Sequence, residues 1–235
     1  MPIPWRRSAI SNKNKENIFR TAGLCKFYSQ TQFTALHDIS LTVGQGEFLG
    51  IKGPSGSGKS TLLYLLGGLL KPTAGEIYFQ ERPFADIKNK VLFRRDNIGF
   101  VFQDFYLYPG FSVLENVLFP CLNKLIVPAA IIRKAREQLD YLNMGNKSGV
   151  GVETLSAGER QRVCIARALL YEPKCILADE PTGNLDSKNA GNVLELLSKI
   201  NDQHKITVIM VTHDEAVAHH AHRIVHIVDG VLQDG

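Results

Sequence analysis

Residues 48–61 read FLGIKGPSGSGKST, a short apolar run that meets a glycine-rich turn and continues into the leucine-rich stretch LLYLLGGLL. That order is strand, phosphate loop, helix. Gly53, Gly58, Lys59 and Ser60 meet the pattern G-x-x-x-x-G-K-[ST], with Pro54, Ser55, Gly56 and Ser57 between them and Thr61 after. The glycines let successive backbone N–H groups turn inward and approach a polyphosphate with no Cβ in the way. The helix opening near Lys59 adds its positive dipole end. Lys59 then reaches the outer phosphates as a point charge, and the Ser60 hydroxyl is placed for a magnesium ion. A serine-glycine linker containing Lys-Ser is the other reading of the same letters. The hydrophobic strand before the loop and the helix after it are the context that linker lacks.

Working outward, 235 residues at 44% apolar suffice for one well-buried domain and are too few for two full ones. The expected boundaries are a basic, flexible tail at 1–17 and a single domain at 18–235. A net charge of +4 suits an anionic ligand or a membrane-facing surface and falls short of a dedicated nucleic-acid binder, so no nucleic-acid partner is expected. Cys25, Cys121, Cys164 and Cys175 lack C-x-x-C spacing, which points to neither a zinc site nor a disulfide framework and fits a reduced cytoplasmic setting. The longest apolar run, 62–70, is about half the ~18 residues a membrane span needs. The tail MPIPWRRSAISNKNKEN has no apolar core of the kind a secretory signal carries.

In chain order, the stretch from Ile18 reads as a strand or two ending near Tyr28. Leu36, Ile39, Leu41 and Val43 then alternate in further strands at one edge of the fold. A strand at 98–102 ends at Gln103. Ser112 and Glu115 form a capping box, and a mostly helical insert runs to about Gly151, with Ile131, Ala135, Leu139 and Leu142 on one helix face. Ser156 and Glu159 are a second capping box, opening an amphipathic helix. CILADEP is an apolar strand delivering two acids at its carboxyl end, where open α/β sheets bind ligands. A helix from Asp186 to about Ile200 and the apolar strand ITVIMVTH, tipped by His213, follow. Strand and helix alternate to the end, as in a largely parallel sheet covered on both faces.

Taken singly, Gln103 reads as a solvated strand end, Tyr28 as a packing aromatic and His213 as a satisfied core histidine. Asp179 and Glu180 read as a helix cap or as a pair facing a metal or cation, the latter because such acids are expensive at the end of a buried strand. His219, His220, His222 and His226 offer a weak metal reading: helical spacing puts His219 and His222 on one face, with no carboxylate or cysteine to complete a typical site. Arg94, Arg95, Arg160 and Arg162 read as surface charges.

The ordered set of phosphate loop, Gln103, LSAGE at 155–159, strand-end Asp179 and Glu180, GNLD at 183–186 and His213 resembles the ATP-binding cassette (ABC) ATPases. The resemblance covers roughly residues 18–230, and LSAGE is its most specific part. KGPSGSGKSTLL, FVFQDFYLYP, SVLENVLFP and ADEPTGNLD look most like the ATPases of lipoprotein-releasing, macrolide-exporting and cell-division systems. It implies an α/β phosphate-loop NTPase: a mainly parallel central sheet flanked by helices, an N-terminal antiparallel β edge, a core at 18–103 and 171–235 and a helical subdomain at about 104–170.

By the same resemblance Tyr28 stacks on adenine and the residues from Gly53 to Thr61 hold the phosphates of ATP. Asp179 binds Mg2+ through water, with Ser60 and Gln103 as further metal contacts. Glu180 polarises the attacking water and His213 orients the γ-phosphate. Leu155, Ser156, Ala157, Gly158 and Glu159 close over ATP on a second subunit, in a homodimer or pseudo-dimer, and Asp186 connects the two sites. A separate membrane permease, driven from the cytoplasmic face of the cell membrane, completes the implied system. The other function classes are a regulatory or mechanical subunit of a membrane complex, as in cell division, and a soluble cassette protein of translation or repair. The chain has neither the second cassette nor the long coiled coil of the last class. It also departs from the family at Ala157, where glycine is usual, adding a methyl to the partner-facing turn. Alanine there is tolerated if the residue takes ordinary helical φ at the first position of the helix.

Overall fold

The computed structural model describes residues 16–121 and 126–233. Apart from its last two residues, the tail expected at 1–17 lies outside them. Asn17 already belongs to the first strand, where it pairs with Gly44. The strands are β1 (Asn17–Tyr28), β2 (Phe33–Ile39), β3 (Thr42–Gly44), β4 (Phe48–Lys52), β5 (Ala74–Phe79), β6 (Arg82–Pro83), β7 (Ile98–Val101), β8 (Cys175–Asp179), β9 (Thr207–Thr212), β10 (Arg223–Val228) and β11 (Val231–Gln233). The helices are α1 (Lys59–Leu66), α2 (Lys90–Asn97), α3 (Val113–Leu118), α4 (Ala129–Tyr141), α5 (Ala157–Leu169), α6 (Ser187–His204) and α7 (Glu215–Ala218).

One sheet has the order β2-β1-β5-β6, with β3 also on β1, and its pairs are antiparallel. The other has the order β11-β10-β4-β9-β8-β7 and is parallel apart from the β10–β11 hairpin. Successive residues of its central strands face opposite layers. Cys175, Leu177, Ile209 and Val211 pack with α1 and the antiparallel sheet, while Ile176, Ala178, Val208 and Met210 pack with α5 and α6. Both faces are therefore covered, which is why these strands read as unbroken apolar runs. Helix α1 lies between the two sheets, and its Leu62, Leu63, Leu65 and Leu66 are all buried. The carboxyl ends of β4, β8 and β9 consequently converge on the loop that precedes it.

Several expectations are corrected. Helix α2 carries no buried residue and so shows no apolar period to read. Its Asn89 cap and the edge-on packing of Phe93 against Phe79 and Phe84 hold it. Helix α6 runs on to His204, and β7 stops at Val101. Helix α7 ends at Ala218, so His219 and His222 share no helix face. His219 stands 3.9 Å from a Glu215 carboxylate oxygen, and Nδ1 of His222 accepts from the Phe48 amide at 3.3 Å. Arg94 and Arg160 are anchored on the carbonyls of Gly68 and Glu153, and Arg95 pairs with Asp96. Burial pushes the Cys164 thiol up to about 12 and the Cys175 thiol well above its ordinary value, as for inert, structural cysteines.

The segment after β7 is pinned from behind. Asn116, fully buried on α3, donates to the carbonyls of Tyr108, Phe111 and Ser112 and accepts from the Tyr108 amide at 2.7 Å. Arg167 of α5 donates to the carbonyls of Phe105 and Tyr106. Asn116→Ala leaves those buried backbone groups unpaired, and urea denaturation should show a loss of about 2–3 kcal/mol. A loss under about 0.5 kcal/mol would mean that the loop finds other partners.

Candidate functional site

The loop between β4 and α1 is built for close approach. Gly58 takes φ +101°, and a Cβ there would lie 2.3 Å from the Ala35 carbonyl oxygen; at Gly53 one would lie 2.0 Å from that of Ile227. Both positions are closed to side chains by backbone on the far side. Helix α1 has neither a capping side chain nor an acid in its first turn, so its leading N–H groups have no side-chain oxygen to bond. The Ser57 hydroxyl is buried without a partner. Lys59 curls back over the loop, its ammonium donating to the carbonyls of Gly53 and Pro54 at 2.7 Å each. Burial lowers its pKa, and the nearby Glu180 and Asp179 oppose that shift. Free donors, an orphaned hydroxyl and a buried cation in one small ring fit a polyphosphate.

The acids arrive from β8. Asp179 is buried and accepts on both oxygens, from Ser60 Oγ at 2.8 Å on Oδ1 and from the Tyr64 phenol at 2.6 Å on Oδ2. Burial, then the bond to Asp179, raises the Tyr64 pKa. Glu180 turns out of the strand with φ +45°, a left-handed backbone that costs an L-residue roughly 1–2 kcal/mol. Its amide is held by the Val211 carbonyl at 3.1 Å. The turn brings its carboxylate within 2.8 Å of His213 Nδ1, with the histidine 62% and the glutamate 15% exposed. An ionised carboxylate only accepts, so the ring proton sits on Nδ1 and Nε2 faces outward. Gln103 lies beside the same turn: its carbonyl accepts from Asn184 at 2.9 Å, and its amide nitrogen would stand 2.9 Å from a Cβ on Gly183. The half-buried Tyr28 reaches Thr61, hydroxyl to hydroxyl, at 3.4 Å.

Lys59, Ser60, Asp179, Glu180 and His213 thus share one cluster, with Gln103 and Tyr28 at its margins. Leu155–Glu159 and Asp186 stand apart: among the described residues no hydrogen bond or ion pair joins them to the loop. Ser156 caps α5, whose Glu159 accepts from the Ser156 amide at 3.0 Å and from Lys147 at 2.5 Å. Ala157 is the first residue of that helix, outside the left-handed region. Asp186 caps α6 through the Asn189 amide at 2.9 Å, a bond that lowers its pKa.

The chain matches the family described as ABC transporter over residues 36–183, well over half its length. It belongs to the ABC transporter family. The lipoprotein-releasing system ATP-binding protein LolD of Saccharophagus degradans is 40% identical over 92% of this chain and 96% of that protein. Among solved structures, the dimeric bacterial ABC transporter cassette MJ0796 superposes with a TM-score of 0.82 at 39% identity, covering 92% of this chain and 97% of that one. The same cassette in a post-hydrolysis state with ADP and Pi gives 0.80 at 39% identity, over 92% and 98% of the two chains. The cassette cbiO1 of Clostridium perfringens, part of the transporter complex cbiONQ, gives 0.84 at 31% identity, over 93% and 88%. The fold is the ABC cassette, and the chain is the ATP-binding, ATP-hydrolysing subunit of a transport system.

Residue reasoning missed Tyr64 and Gln161. Tyr64 stands four residues after Ser60, on the same helix face, as a hydroxyl inside a leucine run. Gln161, buried on α5, donates to the Pro181 carbonyl at 2.8 Å and steadies the turn after Glu180. A polar residue in an amphipathic core stripe was its signal.

The hydrogen bond from Lys147, then the Ser156 amide, hold the Glu159 pKa below its ordinary 4.5. A carboxylate lowered in the folded state adds stability that is full above that value and disappears as the pH falls through the lowered one. Glu159→Gln should therefore be less stable at neutral pH and lose less on acidification below 4.5, read by thermal melts across pH; parallel curves would contradict the coupling. With Ala157 at a helical first position, Ala157→Gly is expected to change ATP turnover by less than about tenfold, roughly 1.4 kcal/mol of barrier. A hundredfold gain in a phosphate-release assay would show that this methyl throttles the enzyme.

Proposed function

We propose that two copies of this chain, or this chain and a similar one, pair head to tail on ATP and drive a separate membrane permease from the cytoplasmic face. The observation that carries the reading is the cluster of Ser60, Asp179, Glu180 and His213 beside the loop lysine. Phosphoryl transfer to water needs positioning and charge neutralisation more than covalent help, and these are groups of that kind.

In this reading Lys59 and the loop amides from Gly53 to Thr61 hold the phosphates, and Tyr28 stacks on the adenine. Glu180 polarises the attacking water. His213, its Nδ1 fixed on Glu180, presents Nε2 to the γ-phosphate. Hard oxygen donors gathered at Ser60 and Asp179 suit a magnesium ion, with Gln103 completing the set; bound there, it would neutralise phosphate charge. Ala157 and Gly158 present helix N–H groups to ATP on the partner subunit, Ser156 closes over it beside them with Leu155 and Glu159 in support, and Asp186 connects the two sites.

The permease contact is assigned to the aromatic segment after Gln103. Tyr106, Tyr108 and Phe111 are exposed there, and a cavity of about 240 Å³ opens between Phe105, Tyr106, Leu107 and Pro109 on one side and Val152, Glu153 and Arg160 on the other. Exposed aromatics on a pinned backbone are typical of interaction surfaces. No helix among the described residues is long and apolar enough to cross a membrane, so a spanning partner would supply the channel. The likeness to a lipoprotein-releasing ATPase over nearly its full length favours lipid-anchored proteins as cargo.

Glu180→Gln should keep ATP affinity, lose nearly all turnover and accumulate an ATP-bound dimer, read by calorimetry, phosphate release and size-exclusion chromatography. Full activity in that variant would remove the assignment of the acid. Mass spectrometry of what co-purifies from gently solubilised membranes tests the permease: a stoichiometric polytopic protein is expected, and recovery with ribosomes or DNA would overturn the transport reading.

A further inference from the structure

We propose that Tyr64 is a positioning residue for the metal-facing carboxylate. Its phenol holds Asp179 turned toward Ser60 and the phosphate loop, and thereby sets how much magnesium adds to nucleotide affinity. The inference rests on the reading that Ser60 and Asp179 hold the ion.

The clamp has two points. Ser60 donates to one oxygen of Asp179 and Tyr64 to the other, at 2.8 and 2.6 Å. Both donors stand on α1, one turn apart, so they reach the carboxylate from one rigid element. A carboxylate held at one oxygen can still swing about its Cβ–Cγ bond, and one held at both cannot. Each ionised oxygen accepts about two hydrogen bonds, so a single protein donor on each leaves room for water on a bound ion. Tyr64 is itself fixed. Its ring packs 6.3 Å from that of Phe102, which stacks on Phe100 at 5.5 Å and meets Tyr106 edge-on at 5.3 Å. The direction of the hydroxyl is therefore set by the aromatic layer as well as by the aspartate. Without the hydroxyl, Oδ2 of a buried carboxylate loses its protein donor and the group is free to turn away from the loop.

The test measures binding of a fluorescent ATP analogue to the full chain, with Mg2+ and with EDTA, for the natural protein, Tyr64→Phe and Asp179→Asn. Electron paramagnetic resonance of Mn2+ with nucleotide gives a second, turnover-free readout. Tyr64→Phe keeps the ring and its packing, so its affinity in EDTA should stay within about twofold, while the gain from Mg2+ falls about three- to tenfold and Mn2+ binding weakens in step. An unchanged or larger Mg2+ gain in Tyr64→Phe, with the gain lost in Asp179→Asn, overturns the role of Tyr64 and leaves the metal reading standing. Equal losses with and without Mg2+ would mark Tyr64 as a packing residue, which also overturns it. If Asp179→Asn itself keeps the full Mg2+ gain, the metal reading falls and the inference with it.

Discussion

A carboxylate taken out of water must be given donors or cations, and Asp179 is such a group. It ends a strand whose every residue is buried, covered on one face by α1 and on the other by α5 and α6. Among the described residues its side-chain donors, Ser60 and Tyr64, both come from α1. The same placement sets the phosphate loop beside the acid, since the loop is the N-terminal lead into α1. The helix is apolar on its buried sides and carries hydroxyls at Ser60 and Tyr64 where it meets the strand end. Packing and chemistry are thus fixed by one contact: the helix cannot shift along the sheet without leaving a buried charge unpaired.

The residue after it shows the other half of the design. Glu180 leaves the strand in a left-handed backbone, and that bend, held by the Val211 carbonyl, carries its carboxylate out to His213. Two adjacent acids therefore meet different surroundings, one buried under two hydroxyls and one beside a solvent-facing imidazole. A regular continuation of β8 would have put their side chains on opposite faces of the sheet.

What the letters reveal depends on whether the signal is periodic. The apolar strands β8 and β9, both capping boxes and the phosphate loop are local patterns with local causes, and they stand where the sequence puts them. Helix α2 has no apolar stripe because it buries nothing, so no period betrays it. Tyr64 hides for a different reason: within LLYLLGGLL it counts as one more large residue, and only the fold shows that its hydroxyl meets an acid 115 positions away. Asn116 and Arg167 act on backbone carbonyls, and a carbonyl carries no residue type to read.

The turn at residues 156–159 follows from an accounting of donors. The first turn of a helix has four N–H groups without intrahelical partners. In α5 the Glu159 amide goes to Ser156, and the Glu159 carboxylate is spent on the Ser156 amide and Lys147. The amides of Ala157 and Gly158 remain, with the helix dipole behind them and Glu159 as the acid of the first turn. An anion is what such a turn lacks, and among the described residues no hydrogen bond or ion pair joins it to the phosphate loop of its own chain. Under the proposed head-to-tail pairing the missing anion is the phosphate on the partner. Closure then adds donors to each phosphate only when both subunits are loaded, and that differential contact is what makes nucleotide occupancy a signal.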